Sequence, residues 1–217
     1  MTQAANAIRR ALIVIDVQQE YFSGALPITH PPVSTSMPNI ARAMDAAHAS
    51  GIPVIVVQHS LPAGAPAFAP GSESWALHPE VAQRPADLRF EKNLPSAFAG
   101  TSLDAWLRDH QINTLVVAGY MTHNCNASTV FEAFHTGYSV EVLSDATGAL
   151  AYMNAAGSAS AEEIHRVFSV VFHSNFAAVA STAQWLDAVA AGLPLQKDNV
   201  PASNQRARAV RPCSITS

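Results

Sequence analysis

Short apolar runs recur along this chain at intervals filled by helical patterns, and that alternation points to the fold. Ala11 to Ile15, Ile52 to Val57, Thr114 to Ala118, Ser139 to Leu143 and Ala177 to Ala180 have the length and character of strands. They are mostly apolar throughout rather than alternating, which predicts a mostly parallel sheet covered on both faces, an α/β protein. Between the first two runs, Ile40, Met44 and Ala47 recur at helical spacing after Pro38-Asn39, and Gly51 is placed to close that helix. A second helix is predicted over Leu103 to His110, opened by Thr101 with Asp104 three places on. A third starts close to Cys125 and stops at Gly137. Ala161 to Val171 and Thr182 to Ala191, the latter closed by Gly192, complete the set.

Two stretches break this rhythm: Tyr21 to Met37, and His59 to Arg89 with its Pro, Gly and Ala. Long ordered loops in compact domains commonly form lids or binding walls. Both leave from the carboxyl ends of strands, where open α/β sheets place their sites, and Asp16, Gln58 and the Gly119 turn fall on the same edge. One domain is expected over 1–195. From 196 to 217 the pattern dissolves into a polar tail, with Lys197, Arg206, Arg208 and Arg211 against Asp198, read as a flexible segment. No Gly-rich phosphate loop follows any strand, so a nucleotide site lacks its usual cradle.

Composition narrows the function. The chain has 217 residues, 49% of them hydrophobic and only 13% charged, enough to bury a full core and to leave apolar surface for a homodimer or homotetramer. A formal charge of −4 argues against a nucleic-acid partner. The two cysteines, Cys125 and Cys213, do not make a disulfide framework, and the N-terminal apolar run is too short for a leader or a membrane span. A cytoplasmic protein with no membrane partner is the expectation.

Cys125 lies where an apolar strand turns into a helix, in Gly119-Tyr120-Met121-Thr122-His123-Asn124-Cys125. A thiol at the positive end of a helix ionises more readily, which suggests a nucleophile; the competing reading of Cys125 is a small buried hydrophobe. Asp16 ends an all-apolar strand, where a carboxylate needs a partner or an exposed edge. Lys92 interrupts apolar segments; alone it would be a solvated lysine. Brought to one sheet edge, the three supply a nucleophile, a proton carrier and a cation that favours thiolate.

With these residues the sequence resembles the isochorismatase-like cysteine hydrolases. The carriers are Ala11-Leu12-Ile13-Val14-Ile15-Asp16-Val17-Gln18, Lys92 with Ser96-Ala97-Phe98-Ala99-Gly100-Thr101-Ser102-Leu103, and Gly119 to Cys125, in that order and over about Ala11 to Gly192. The resemblance implies a doubly wound, mostly parallel six-stranded sheet with helices on both faces. It also implies an Asp16, Lys92, Cys125 triad and a cis peptide at Tyr120–Met121 that aims the Met121 amide, with that of Cys125, at an oxyanion. The activity implied is hydrolysis of a C–N bond in a small-molecule substrate without a cofactor. An isochorismatase-type vinyl ether hydrolase and a non-catalytic binding protein on the same scaffold are the alternatives.

The metal-binding Asp-x-His pair of the family's nicotinamidases is replaced by Val57-Gln58-His59, so no metal is expected. Phe22, Gln58, His59, Trp75, Phe98, Tyr120 and His123 are candidate pocket residues. Core packing competes for each aromatic, and Trp106 and Trp185 are assigned to packing.

Overall fold

The computed structural model describes residues 7–210. The chain runs β1 (Arg10–Ile15), α1 (Val33–Ala49), β2 (Val54–His59), the short α2 (Pro79–Ala82), β3 (Leu88–Lys92), α3 (Leu103–Asp109), β4 (Thr114–Tyr120), α4 (Ala127–His135) and β5 (Ser139–Gly148). It continues through a hairpin of β6 (Tyr152–Asn154) and β7 (Gly157–Ala159), then α5 (Ala161–Val171), β8 (Ala178–Ala180), α6 (Thr182–Ala190) and α7 (Val200–Ala209). Six strands form one parallel sheet in the order β3-β2-β1-β4-β5-β8.

The apolar runs divide by strand period. Leu12, Val14, Val54, Val56, Val116 and Ala118 face one core, closed by Ile40 and Met44 of α1 and Trp185 of α6. Ala11, Ile13, Ile15, Ile55, Val57, Leu115 and Val117 face the other, closed by Leu103 and Leu107 of α3 and Val130 and Ala133 of α4. Covering both faces explains why these strands read as unbroken apolar runs. The sixth strand, β3, escaped that pattern because it is an edge strand, with Arg89 and Glu91 exposed.

Local chemistry sets the ends. Ser160 with Glu163 and Ser181 with Gln184 form capping boxes that start α5 and α6. Thr101 does not cap α3 as expected; Ser102 holds that position, Thr101 Oγ1 accepts from the Leu103 amide, and Asp104 pairs with Arg108. Helix α1 starts at Val33, five residues before the expected Pro38, which it tolerates near its start. The long loop after β2 is pinned over the end of β1, where Val17 accepts from the His78 amide and the Gln19 amide donates to Ala76. The segment expected as an unstructured tail carries α7, while Cys213 lies outside the described residues. No described helix is long and apolar enough to cross a membrane.

Candidate active site

Strands β1, β3 and β4 carry Asp16, Lys92 and Cys125 to the same carboxyl edge of the sheet. Asp16 follows β1 with φ +52°, a left-handed turn that bends the chain out of the strand. Lys92 ends β3, and Cys125 lies in the wide helical turn Thr122–Asn126 that leads into α4. Gly119 allows the close approach of β1 and β4: it has φ +101°, and a Cβ there would lie 2.1 Å from the Ile15 carbonyl oxygen. The Tyr120–Met121 peptide that follows is cis.

The three side chains meet. Lys92 Nζ lies 2.7 Å from Asp16 Oδ2 and 3.2 Å from Cys125 Sγ, with the Asp16 and Lys92 side chains fully shielded from solvent. The Lys92 ammonium also reaches the Leu94 carbonyl at 3.2 Å and His59 Nδ1 at 3.3 Å. Its approach to Asp16 has ion-pair distance without hydrogen-bond alignment, so neither carboxylate oxygen has a well-aligned donor. Capacity remains on Asp16 for a proton that moves during a reaction.

Burial raises the Asp16 pKa, opposed by the charge of Lys92. Burial and the neighbouring carboxylate push the Cys125 thiol well above its ordinary value, with Lys92 pulling the other way. Desolvation and the Asp16 charge thus oppose the ionisation that a helix terminus favours.

The turn is braced from several sides. Asn126 Nδ2 donates to the Gly119 carbonyl at 2.8 Å, Thr129 Oγ1 donates to the Cys125 carbonyl at 2.7 Å, and the Met121 carbonyl accepts from the Asn124 and Asn126 amides. Asn126 is thus a structural clamp. Gln18, fully buried, donates to the carbonyls of His59 and Trp75 and accepts from the His59 amide. Sequence reasoning gave Gln18 no role, although an amide two residues past Asp16 in an apolar segment was a usable signal.

The pocket candidates separate. Phe22 packs against His78 at 4.3 Å between ring centroids and edge-on against Tyr120 at 5.9 Å, Gln58 Nε2 donates to the Trp75 carbonyl, and the Trp75 indole donates to Ser60 Oγ. His59 packs edge-on against Phe68, and burial together with Lys92 lowers its pKa. Phe98 and Tyr120 instead lie in the two cores, Tyr120 with its hydroxyl 2.7 Å from Ser36 Oγ. His123 packs edge-on against Tyr152 of the hairpin at 4.9 Å. Tyr152, Tyr21 and His165, near the turn, were not singled out from sequence; the first lies in a hairpin too short and polar to register as strands.

Asp16, His59 and Cys125 offer ligand atoms within 4.8 Å of one another, a set of donors that suits a transition metal. The Lys92 ammonium contacts all three and already supplies a positive charge there.

The family model for the isochorismatase domain matches residues 10–184. The chain belongs to the isochorismatase family. A crystal structure from Burkholderia xenovorans LB400, described as a candidate isochorismatase, is 61% identical with a TM-score of 0.93, covering 94% of this chain and 99% of that one. An uncharacterised isochorismatase family protein of Bacillus subtilis strain 168 is 30% identical over 178 residues, 81% of this chain and 98% of the relative. A ureidoacrylate amidohydrolase of Stutzerimonas stutzeri A1501 is 34% identical over 177 residues, 66% of this chain and 71% of the relative. This is an isochorismatase family hydrolase with the family's three-layer fold.

Proposed function

We propose that the protein is a cysteine hydrolase that cleaves a C–N bond of a small amide, ureido compound or cyclic amide through a thioester on Cys125. The observation that carries this reading is the Lys92 ammonium set against both Asp16 and Cys125, at 2.7 Å and 3.2 Å. Cys125 attacks the carbonyl carbon as Asp16 takes its proton, so thiolate forms only as the new bond does. Lys92 stabilises the anion as it passes from carboxylate to sulfur. The Met121 and Cys125 amides stabilise the developing oxyanion, a contribution of about 3 to 4 kcal/mol for one such donor. Asp16 then gives the proton to the departing amine, and water activated by the same carboxylate cleaves the thioester.

Likeness to the ureidoacrylate amidohydrolase supports C–N chemistry. The test is release of ammonia or amine from a panel of amides, ureido compounds and cyclic amides. Cys125→Ala and Cys125→Ser are each expected to lower kcat about a thousandfold or more; unchanged turnover in both overturns the proposal. The candidate isochorismatase from Burkholderia keeps a second reading in the assay. Pyruvate release from isochorismate that persists after thiol alkylation would decide for vinyl ether hydrolysis.

The proposal includes self-association. Val167, Val170 and Val171 form an exposed apolar stripe on α5, and Met153 stands 85% exposed on the adjacent hairpin. Light scattering is expected to give a dimer or tetramer mass.

A further inference from the structure

His123 stands two residues before the nucleophile, and both of its ring nitrogens are buried without a hydrogen-bond partner. Buried polar atoms are nearly always satisfied, so an imidazole left with two unmet positions in the nucleophile turn calls for a ligand. The ring is enclosed by Tyr152, edge-on at 4.9 Å, and Phe168 at 6.2 Å, both aromatic and uncharged. Burial raises the Tyr152 pKa, and Cys125, lying near it, adds to the rise.

Charge at the site is already balanced. Lys92 has three N–H bonds and four partners in Asp16, Cys125, Leu94 and His59. Among the described residues, Arg10, Arg84 and Arg108 are paired elsewhere with Glu141, Asp45 and Asp104. Burial lowers the His123 pKa to about 4, so the ring is neutral at physiological pH and offers one donor and one acceptor. A primary amide or urea presents the complementary pair, whereas a carboxylate presents acceptors alone and would face the Asp16 carboxylate while the Lys92 ammonium is already engaged.

We propose that His123 is the specificity-determining residue of this site, a neutral imidazole that hydrogen-bonds an uncharged amide or ureido group, and that substrates with a carboxylate beside the scissile bond are rejected. The inference rests on the reading of Cys125 as the nucleophile. It does not depend on knowing the substrate.

Iodoacetamide and iodoacetate differ little in size and carry charges of 0 and −1. Their rates of Cys125 alkylation, followed by intact mass and peptide mapping and each divided by the rate for glutathione, measure how the site treats charge. The normalised preference for iodoacetamide is expected to be about tenfold or more, since uncompensated like charge is excluded at this level. His123→Arg is expected to bring the preference close to unity. Tyr152→Arg, on the exposed hairpin, places a cation beside the His123 ring and is expected to shift it the same way. An N-carbamoyl amino acid amide should likewise exceed its parent acid in kcat/KM.

Equal or faster normalised reaction with iodoacetate in the wild type overturns the inference, as does an unchanged preference in both arginine variants. Failure of both reagents to modify Cys125 overturns the nucleophile assignment and this inference with it. Cys125-dependent turnover that favours the acid overturns this inference alone.

Discussion

Replacing Lys92 by methionine leaves the Asp16 carboxylate buried without its cation. At 2.7 Å and an effective dielectric constant of 20, the attraction between the two charges is about 6 kcal/mol, partly offset by the desolvation of both groups. The variant does not lose that whole amount, because Asp16 takes up a proton instead of remaining charged. From the ordinary value of 3.8, holding it protonated at pH 7 costs about 4 kcal/mol, within the roughly 3 to 5 kcal/mol typical of a broken buried pair. The folded variant binds this proton more tightly than the unfolded chain, so the contribution is most favourable below pH 4 and is lost as pH rises. Wild-type Asp16 has the same sign but a smaller effect, since Lys92 opposes the rise. Urea denaturation of Lys92→Met between pH 5 and 7.5 is therefore expected to show stability falling more steeply than in the wild type, by up to about 1.4 kcal/mol per pH unit. The double variant Asp16→Asn, Lys92→Met removes both charges, and should be more stable than Lys92→Met at pH 7.5 and free of the extra slope. A pH-independent deficit, or a double variant as unstable as the two single losses added, would refute the argument.

Two further perturbations probe how the site is held. Gly119→Ala forces a Cβ to within 2.1 Å of the Ile15 carbonyl at a φ of +101°; it should cost about 3 kcal/mol or more and displace the nucleophile turn, and a midpoint shift under 2 °C on heating, a loss of about 1 kcal/mol or less, would contradict this. Gln18→Ala removes three hydrogen bonds to the His59 and Trp75 backbone, leaving the half-buried His59 amide and carbonyl without that partner, at about 2 to 4 kcal/mol. Hydrogen exchange should rise over residues 59–78, and unaltered protection there would show that the loop is held by other contacts.

Central strands were legible in the sequence because burial on both faces leaves no polar alternation to obscure them. Edges were harder: Leu88–Lys92 alternates apolar and charged residues, and Tyr152–Asn154 is exposed throughout, so neither forms an apolar run. Asp16, Lys92 and Cys125 could be paired because each is a polar residue where the surrounding pattern is apolar. The difference in burial between Phe22 and Tyr120 was not available, since both are aromatics near strand ends; the two rings pack edge-on, and Tyr120 is sealed in with its hydroxyl on Ser36 of α1. Gln18 acts by hydrogen-bonding distant backbone, which appears only once the loop after β2 has folded over β1, and Asn126 acts across the nucleophile turn, on the Gly119 carbonyl seven residues back.

The thiol is the point at which local and tertiary chemistry oppose each other. Position at a helix terminus favours thiolate, by at most a few tenths to about 2 kcal/mol. Cys125 is 4% exposed and faces the Asp16 carboxylate, and both disfavour a second negative charge, while Lys92 can fully neutralise only one of the two. Burial and the Asp16 charge together predict that sulfur and carboxylate share one proton over one cation, with the proton on sulfur until a carbonyl carbon accepts the electron pair. The rate of Cys125 modification by iodoacetamide should therefore keep rising with pH through 9, where an ordinary thiol approaches its plateau. Asp16→Asn removes the competing charge, so its plateau should move to lower pH even as the variant loses its general base. A wild-type plateau below pH 7.5, or an Asp16→Asn profile displaced upward, would mean that the helix terminus and Lys92 together outweigh burial, and that the enzyme holds a preformed thiolate.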